Sequence, residues 1–136
     1  MTYLLDTNVI SEIRKGPKCD RHVQKWLGSI DHHATYLSVL VLGELRRGVE
    51  LLRAKDRAAG RALEAWLLEV ETNYEDRVFP IDEPIAQEWG RLTSKRPLPT
   101  VDALLAATAI VHGLTLVTRD DRDVRGLGVT VVNPFR

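Results

Sequence analysis

Of the 136 residues only Cys19 is a cysteine, so no disulfide can close within the chain. A reducing cytoplasm is the compartment that such a composition fits. Excess charge is also missing: 19 Lys and Arg against 19 Asp and Glu leave a formal net charge of zero. A protein holding nucleic acid by bulk attraction is usually basic, so any grip on a polyanion has to come from a local patch. Long apolar runs are absent. The longest nearly uncharged stretch, Ala103 to Val111, is about half of the roughly 20 residues a membrane span needs. Met1-Thr2-Tyr3 has no basic start and Asp6 interrupts the first apolar stretch, so no secretory signal is expected. There is no GxGxxG and no GxxxxGK[ST], which excludes nucleotide binding by those loops. The histidines do not suggest a metal site: His32-His33 is a dipeptide in a loop, and His22 and His112 lack ligand spacing.

What is present has the size and balance of one soluble globular domain spanning residues 1–136, with no linker, repeat or low-complexity block. Tyr3–Leu5 reads as a strand that breaks at Asp6-Thr7-Asn8 into a helix from about Val9 to Arg14, stopped by Gly16-Pro17. A second helix covers Asp20 to Ser29. Tyr36-Leu37 is a short strand, and Ser38 caps the helix Val39–Arg53, whose stripe is Leu42, Leu45, Val49 and Leu52. The next helix, Asp56 to Tyr74, buries Leu63, Trp66, Leu67 and Val70. Val78–Ile81 is a strand, and Asp82 starts the helix carrying Ile85, Trp89 and Leu92. Thr100 is expected to cap Val101–His112, which Gly113 ends. Leu114–Thr118 and Val129–Val132 are the last strands. Strands alternating with helices imply an α/β fold with a mostly parallel sheet of four to five strands, covered on both faces. In such sheets ligands bind off the carboxyl ends of the strands, where Asp6 is expected.

Three more acids share that character. Glu44 interrupts the apolar segment VLVLGEL, Asp102 is the only charge between Arg96 and His112, and Asp120 directly follows LTLVT and Arg119. Each also has an ordinary structural explanation. Asp6 and Asp102 suit helix N-termini, Glu44 can pair with Arg47, and Asp120 suits a turn. If the four converge, their repulsion demands a counter-charge. Oxygen ligands without His or Cys select hard ions, Mg²⁺ or Mn²⁺.

DTNVISE at 6–12, LGEL around Glu44, DALLAATA at 102–109, LVTRD at 116–120 and GVTVVNPF at 128–135 together resemble a PIN-domain ribonuclease, and more narrowly the VapC-type toxins of bacterial toxin–antitoxin pairs. The resemblance implies a PIN-like three-layer α/β/α fold and an endoribonuclease using one or two Mg²⁺ or Mn²⁺ ions. It also implies RNA as substrate, a homodimer, and neutralisation by a VapB-like antitoxin in a larger complex. Asp6, Glu44 and Asp102 match the family's first three acids, Thr118 its hydroxyl residue and Asn8 its accessory polar position. At the fourth acid relatives often read T-R-N-x-x-D-F, whereas this chain has Asp120, Asp123 and Val124. Asp120, nearer the strand end, is favoured over Asp123. Asp6 and Asp102 are then expected as primary ligands, with Glu44 and Asp120 completing a second site or orienting water. Arg14, Lys15, Arg46 and Arg119 are candidates for gripping substrate phosphates.

Two other classes compete. An Asp-nucleophile phosphatase wants Asp-x-Asp where this chain has Asp6-Thr7-Asn8, and a phosphoacceptor domain wants a late strand-end Lys that is missing. A catalytically silent PIN-like module binding RNA or protein would be expected to have lost the acids, and all four are present.

Overall fold

β1 (Tyr3–Leu5) places Leu4 and Leu5 in succession, and both are fully buried. Neighbouring strand residues point to opposite faces, so β1 is covered on both sides, as a central parallel strand requires. The computed structural model describes residues 1–136. Beyond β1 its strands are β2 (Thr35–Ser38), β3 (Val78–Phe79), β4 (Thr115–Val117) and β5 (Val131–Val132). They form one sheet of order β3-β2-β1-β4-β5, with every pair parallel. Six helices complete a three-layer α/β/α fold: α1 (Thr7–Ile13), α2 (Arg21–Gly28), α3 (Val39–Lys55), α4 (Arg57–Asn73), α5 (Glu83–Lys95) and α6 (Thr100–His112). The expected class and element order hold. No helix is long and apolar enough to cross a membrane.

Several boundaries differ for local reasons. Helix α1 starts at Thr7, two residues earlier than expected, because the Asp6 carboxylate accepts the Thr7 N–H and serves as N-cap. Asp20 likewise caps α2 from outside, through His22 and Val23. Thr100 is not a cap: Pro99 holds that position and α6 begins at Thr100. Strand β3 ends at Phe79, since Pro80 has no N–H to donate to a neighbouring strand. On α3 the buried stripe is Val41, Leu45 and Val49, one position round from the predicted start at Leu42.

Helices α3 and α4 pack closely as a hairpin. A Cβ on the buried Gly60 would stand 2.6 Å from Arg53 Cα, so only glycine lets α4 approach α3 this closely. Leu67 on α4 is fully buried, and Trp26 on α2 packs edge-on against Tyr3.

Candidate functional site

Strand β1 has β2 on one side and β4 on the other, so the order of connection reverses between β1 and β4. A crevice off the strand ends at such a point is the usual ligand site of open α/β sheets. Leu5 pairs with Val117 in register, which sets the next residues, Asp6 and Thr118, side by side. The Asp6 amide closes the ladder by donating to Val117 O at 2.9 Å.

Around this pair the acids assemble. Thr118 Oγ1 donates to Asp6 Oδ2 at 2.7 Å and accepts the Asp120 N–H at 3.0 Å. One buried hydroxyl therefore sets two carboxylate-bearing residues. Asn8 Nδ2 donates to Asp120 Oδ2 at 3.2 Å and reaches Asp6 Oδ2 at 3.5 Å, while its Oδ1 accepts the Arg119 N–H. Asp102, in the first turn of α6, lines a small cavity with Asp6, Thr118, Asp120, Leu105, Leu116 and Val124. Glu44 reaches the group from α3 and accepts a hydrogen bond from the Thr7 hydroxyl.

Charge is confined here. Burial pushes the Asp102 carboxyl up from 3.8 to about 6, and Asp6, Asp123, Asp120 and Glu44 push in the same direction. Burial also raises Asp6. Its bonds from Thr118 and the Thr7 amide oppose that rise, while Glu44 and Asp120 reinforce it. The four predicted acids thus form one electrostatic unit, and Asp123 belongs to it through Asp102. Of the two candidates for the fourth acid, Asp120 is bridged to Asp6 through Asn8, and Asp123 acts more strongly on Asp102.

The donor set suits a hard divalent ion: it is all oxygen, and its mutual repulsion is what positive charge relieves. No group of three or more His, Cys, Asp or Glu side chains is arranged to hold a metal ion. The fit is therefore one of chemistry and electrostatics, without a ready-made cage.

The predicted phosphate-gripping cations are all engaged by the protein itself. Arg46 is ion-paired to Glu50 and Glu64, which ties α3 to α4. Arg14 lies over the Trp66 ring, with 5.7 Å between guanidinium carbon and ring centroid. Lys15 Nζ donates to Glu12 at 2.9 Å. Arg119 lies over Phe135 at 3.8 Å, with Glu12 3.8 Å from its Nη2.

Sequence reasoning missed Thr7, Glu12 and Asn133. Thr7 is a helix-start threonine whose partner is 37 residues away, and no local pattern announces such a contact. Glu12 is 6% exposed and also accepts the Asp20 N–H; bonding from Lys15, first, and then from Asp20 holds its carboxyl below the ordinary value. A signal existed, because Glu12 falls three residues after the buried Val9, on the inward face of α1. Asn133 donates to Arg119 O and to Asp121, and Arg96 donates to Asp123 O and Arg125 O. Together they fasten the short 3₁₀ turn Asp121–Val124 that follows Asp120.

A family model described as PIN domain matches residues 3–126. Toxin FitB of Neisseria gonorrhoeae is 36% identical to this chain, over 97% of each. VapC ribonuclease Y4jK of Sinorhizobium fredii is 33% identical, over 97% of this chain and 96% of its own. The crystal structure of FitAcB from Neisseria gonorrhoeae contains a chain that superposes with a TM-score of 0.88 at 34% identity, covering 99% of both.

Proposed function

The chain belongs to the PIN-domain family, and on that premise we propose that it is an endoribonuclease dependent on Mg²⁺ or Mn²⁺, the toxin of a type II toxin–antitoxin pair. The relatives' names, a toxin and a ribonuclease, support this reading. The observation that carries it is the gathering of Asp6, Asp102 and Asp120 at the switch point, with Asp102 pushed up to about 6 by burial and by its acidic neighbours.

In this reading Asp6 and Asp102 hold the ion, or two ions, and Glu44 and Asp120 complete the set. A bound Mg²⁺ or Mn²⁺ supplies a lowered pKa for water and positive charge against the leaving oxygen. Thr118 and Asn8 keep Asp6 from rotating, so that its carboxylate is preorganised at no cost during the reaction. The Thr7 hydroxyl aims Glu44 toward the same centre. Asp123 adds negative charge against Asp102, which strengthens the demand for a cation. The single 1–136 domain acts as a homodimer and is neutralised by a VapB-like antitoxin, with which it forms the larger complex.

Asp6→Asn keeps the cap acceptor but removes the charge, and should lower RNA cleavage by about 100-fold or more while the protein stays folded. The proposal fails if that variant, or wild type in excess EDTA, cleaves RNA as fast as wild type with Mg²⁺. The missing three-ligand cage is also what a silent binding module would show. Undetectable Mn²⁺ uptake, together with intact RNA binding, would favour that module.

A further inference from the structure

Beside the acidic centre lies a cavity of about 460 Å³ that shares Asp120 and Asp123 with it and is otherwise lined by residues including Arg119, Arg122, Asn133 and Phe135. Its volume falls in the range that holds a small organic ligand. Arg119 is the unusual member. Its guanidinium lies over the Phe135 ring at 3.8 Å, and Glu12, itself buried, stands 3.8 Å from Nη2. Glu12 is in turn fixed by Lys15 and by the Asp20 N–H. The backbone of Arg119 is equally fixed: its N–H goes to Asn8 and its C=O to Asn133. The arginine is thus pinned from below, from the side and through its main chain. Even so, its side chain is 54% exposed and faces a cavity that opens onto Asp120.

A guanidinium held this way is poorly suited to a phosphate. A carboxylate already stands beside one nitrogen, and bidentate capture needs the edge rather than the face. Its free face is a flat, delocalised cation, a surface on which nucleobases stack. We propose that Arg119, supported by Phe135 and Glu12, is a stacking platform for one unpaired nucleobase of an RNA strand, next to the phosphodiester presented to the acids. This rests on the ribonuclease reading above, and it makes Arg119 a specificity residue in place of a phosphate grip. Asp120 borders both spaces, so the base and the reacting phosphate belong to neighbouring positions of the strand. A base paired and stacked within a continuous duplex cannot reach such a platform, so single-stranded or looped RNA is the class selected.

The test uses the full chain with Mn²⁺ and a short single-stranded RNA that wild type cuts at one site. Abasic residues are introduced one position at a time around that site. One flanking position should cost wild type about 5- to 150-fold in kcat/KM, the span that base stacking on side chains gives. Arg119→Lys keeps the charge and loses the plane; it should cut the intact RNA more slowly and no longer distinguish the abasic one. Phe135→Leu removes the support and should blunt the same discrimination, which guards against misreading one poorly folded variant. With 2-aminopurine at that position, binding to the Asp6→Asn protein should quench fluorescence, and the quench should vanish when Arg119→Lys is added. Wild type that cuts RNA with equal efficiency whichever flanking base is removed overturns the platform and leaves the nuclease standing. Unchanged abasic discrimination in Arg119→Lys does the same. Wild type that neither binds nor cuts RNA in Mn²⁺ overturns both readings.

Discussion

Asp102→Asn is expected to stabilise the metal-free protein while destroying its activity. The Asp102 carboxyl titrates near 6 in the folded chain against an ordinary value of 3.8, through burial first and then Asp6, Asp123, Asp120 and Glu44. A raised carboxyl pKa means that the folded chain holds the proton more tightly than the unfolded chain does. Below pH 3.8 the group is neutral in both states and costs nothing. Stability is then lost as the pH climbs from 3.8 to about 6, and the full cost applies above that. At about 1.4 kcal/mol per tenfold, the gap amounts to about 3 kcal/mol, and solvent screening of this half-buried group reduces it to about 1–2 kcal/mol. Asparagine carries no such cost. With an unfolding entropy of about 2.1 cal/mol/K per residue, a chain of this length should gain about 4–7 °C in Tm. Thermal unfolding followed by circular dichroism in EDTA checks this at pH 7.5 and pH 4. At pH 4 the gain should fall to about a quarter or less, because the wild-type group is then protonated in the folded state and half protonated in the unfolded one. Mn²⁺ should raise the Tm of wild type and leave the variant nearly unchanged. A variant no more stable than wild type at pH 7.5, or a gain equal at both pH values, would refute the reasoning.

Other perturbations probe the supports of the centre. Thr118→Val strips Asp6 of a buried donor and the Asp120 amide of its acceptor; it should cost about 1–3 kcal/mol in urea unfolding and weaken Mn²⁺ binding about 10- to 100-fold. Thr7→Val frees Glu44 at an exposed position; cleavage should drop about 10-fold, with Tm nearly unchanged. Gly60→Ala forces a methyl to within 2.6 Å of the α3 backbone; a loss of about 1–3 kcal/mol is expected in denaturant unfolding, with Mn²⁺ affinity retained. At sub-saturating Mn²⁺, cleavage should increase as pH rises through about 6, since proton and ion compete for Asp102.

The parts legible in the sequence are those written locally. Tyr3–Leu5 and Leu114–Thr118 announce buried parallel strands by apolar, β-favouring runs, and both end where an acid follows within a few residues. Asp102 is visible because it stands alone as a charge at the start of the mostly apolar run Ala103–Val111. From these the parallel α/β class, the strand-end position and the candidate acids can be read, whereas the strand order β3-β2-β1-β4-β5 cannot. The fate of the basic residues cannot, because it depends on partners brought in by the fold. Arg46 reads as available in the sequence, yet α4 delivers Glu64 to it across the hairpin. Arg119 reads as a phosphate contact until Phe135 and Glu12, from opposite ends of the chain, take hold of its guanidinium. Helix starts depend on which oxygen captures the first N–H groups, which is why Asp6 advanced α1 and Thr100 failed to cap α6.

Calorimetric titration of Mn²⁺ into the metal-free protein at pH 6, in two buffers of different ionisation enthalpy, tests most directly whether these carboxylates act together on one cation. Wild type should bind and release about half a proton, the fraction that Asp102 carries at that pH. Asp102→Asn should bind more weakly and release fewer protons. A wild type that gives no binding heat, or a variant that matches it in affinity and proton release, would contradict a shared cation centre.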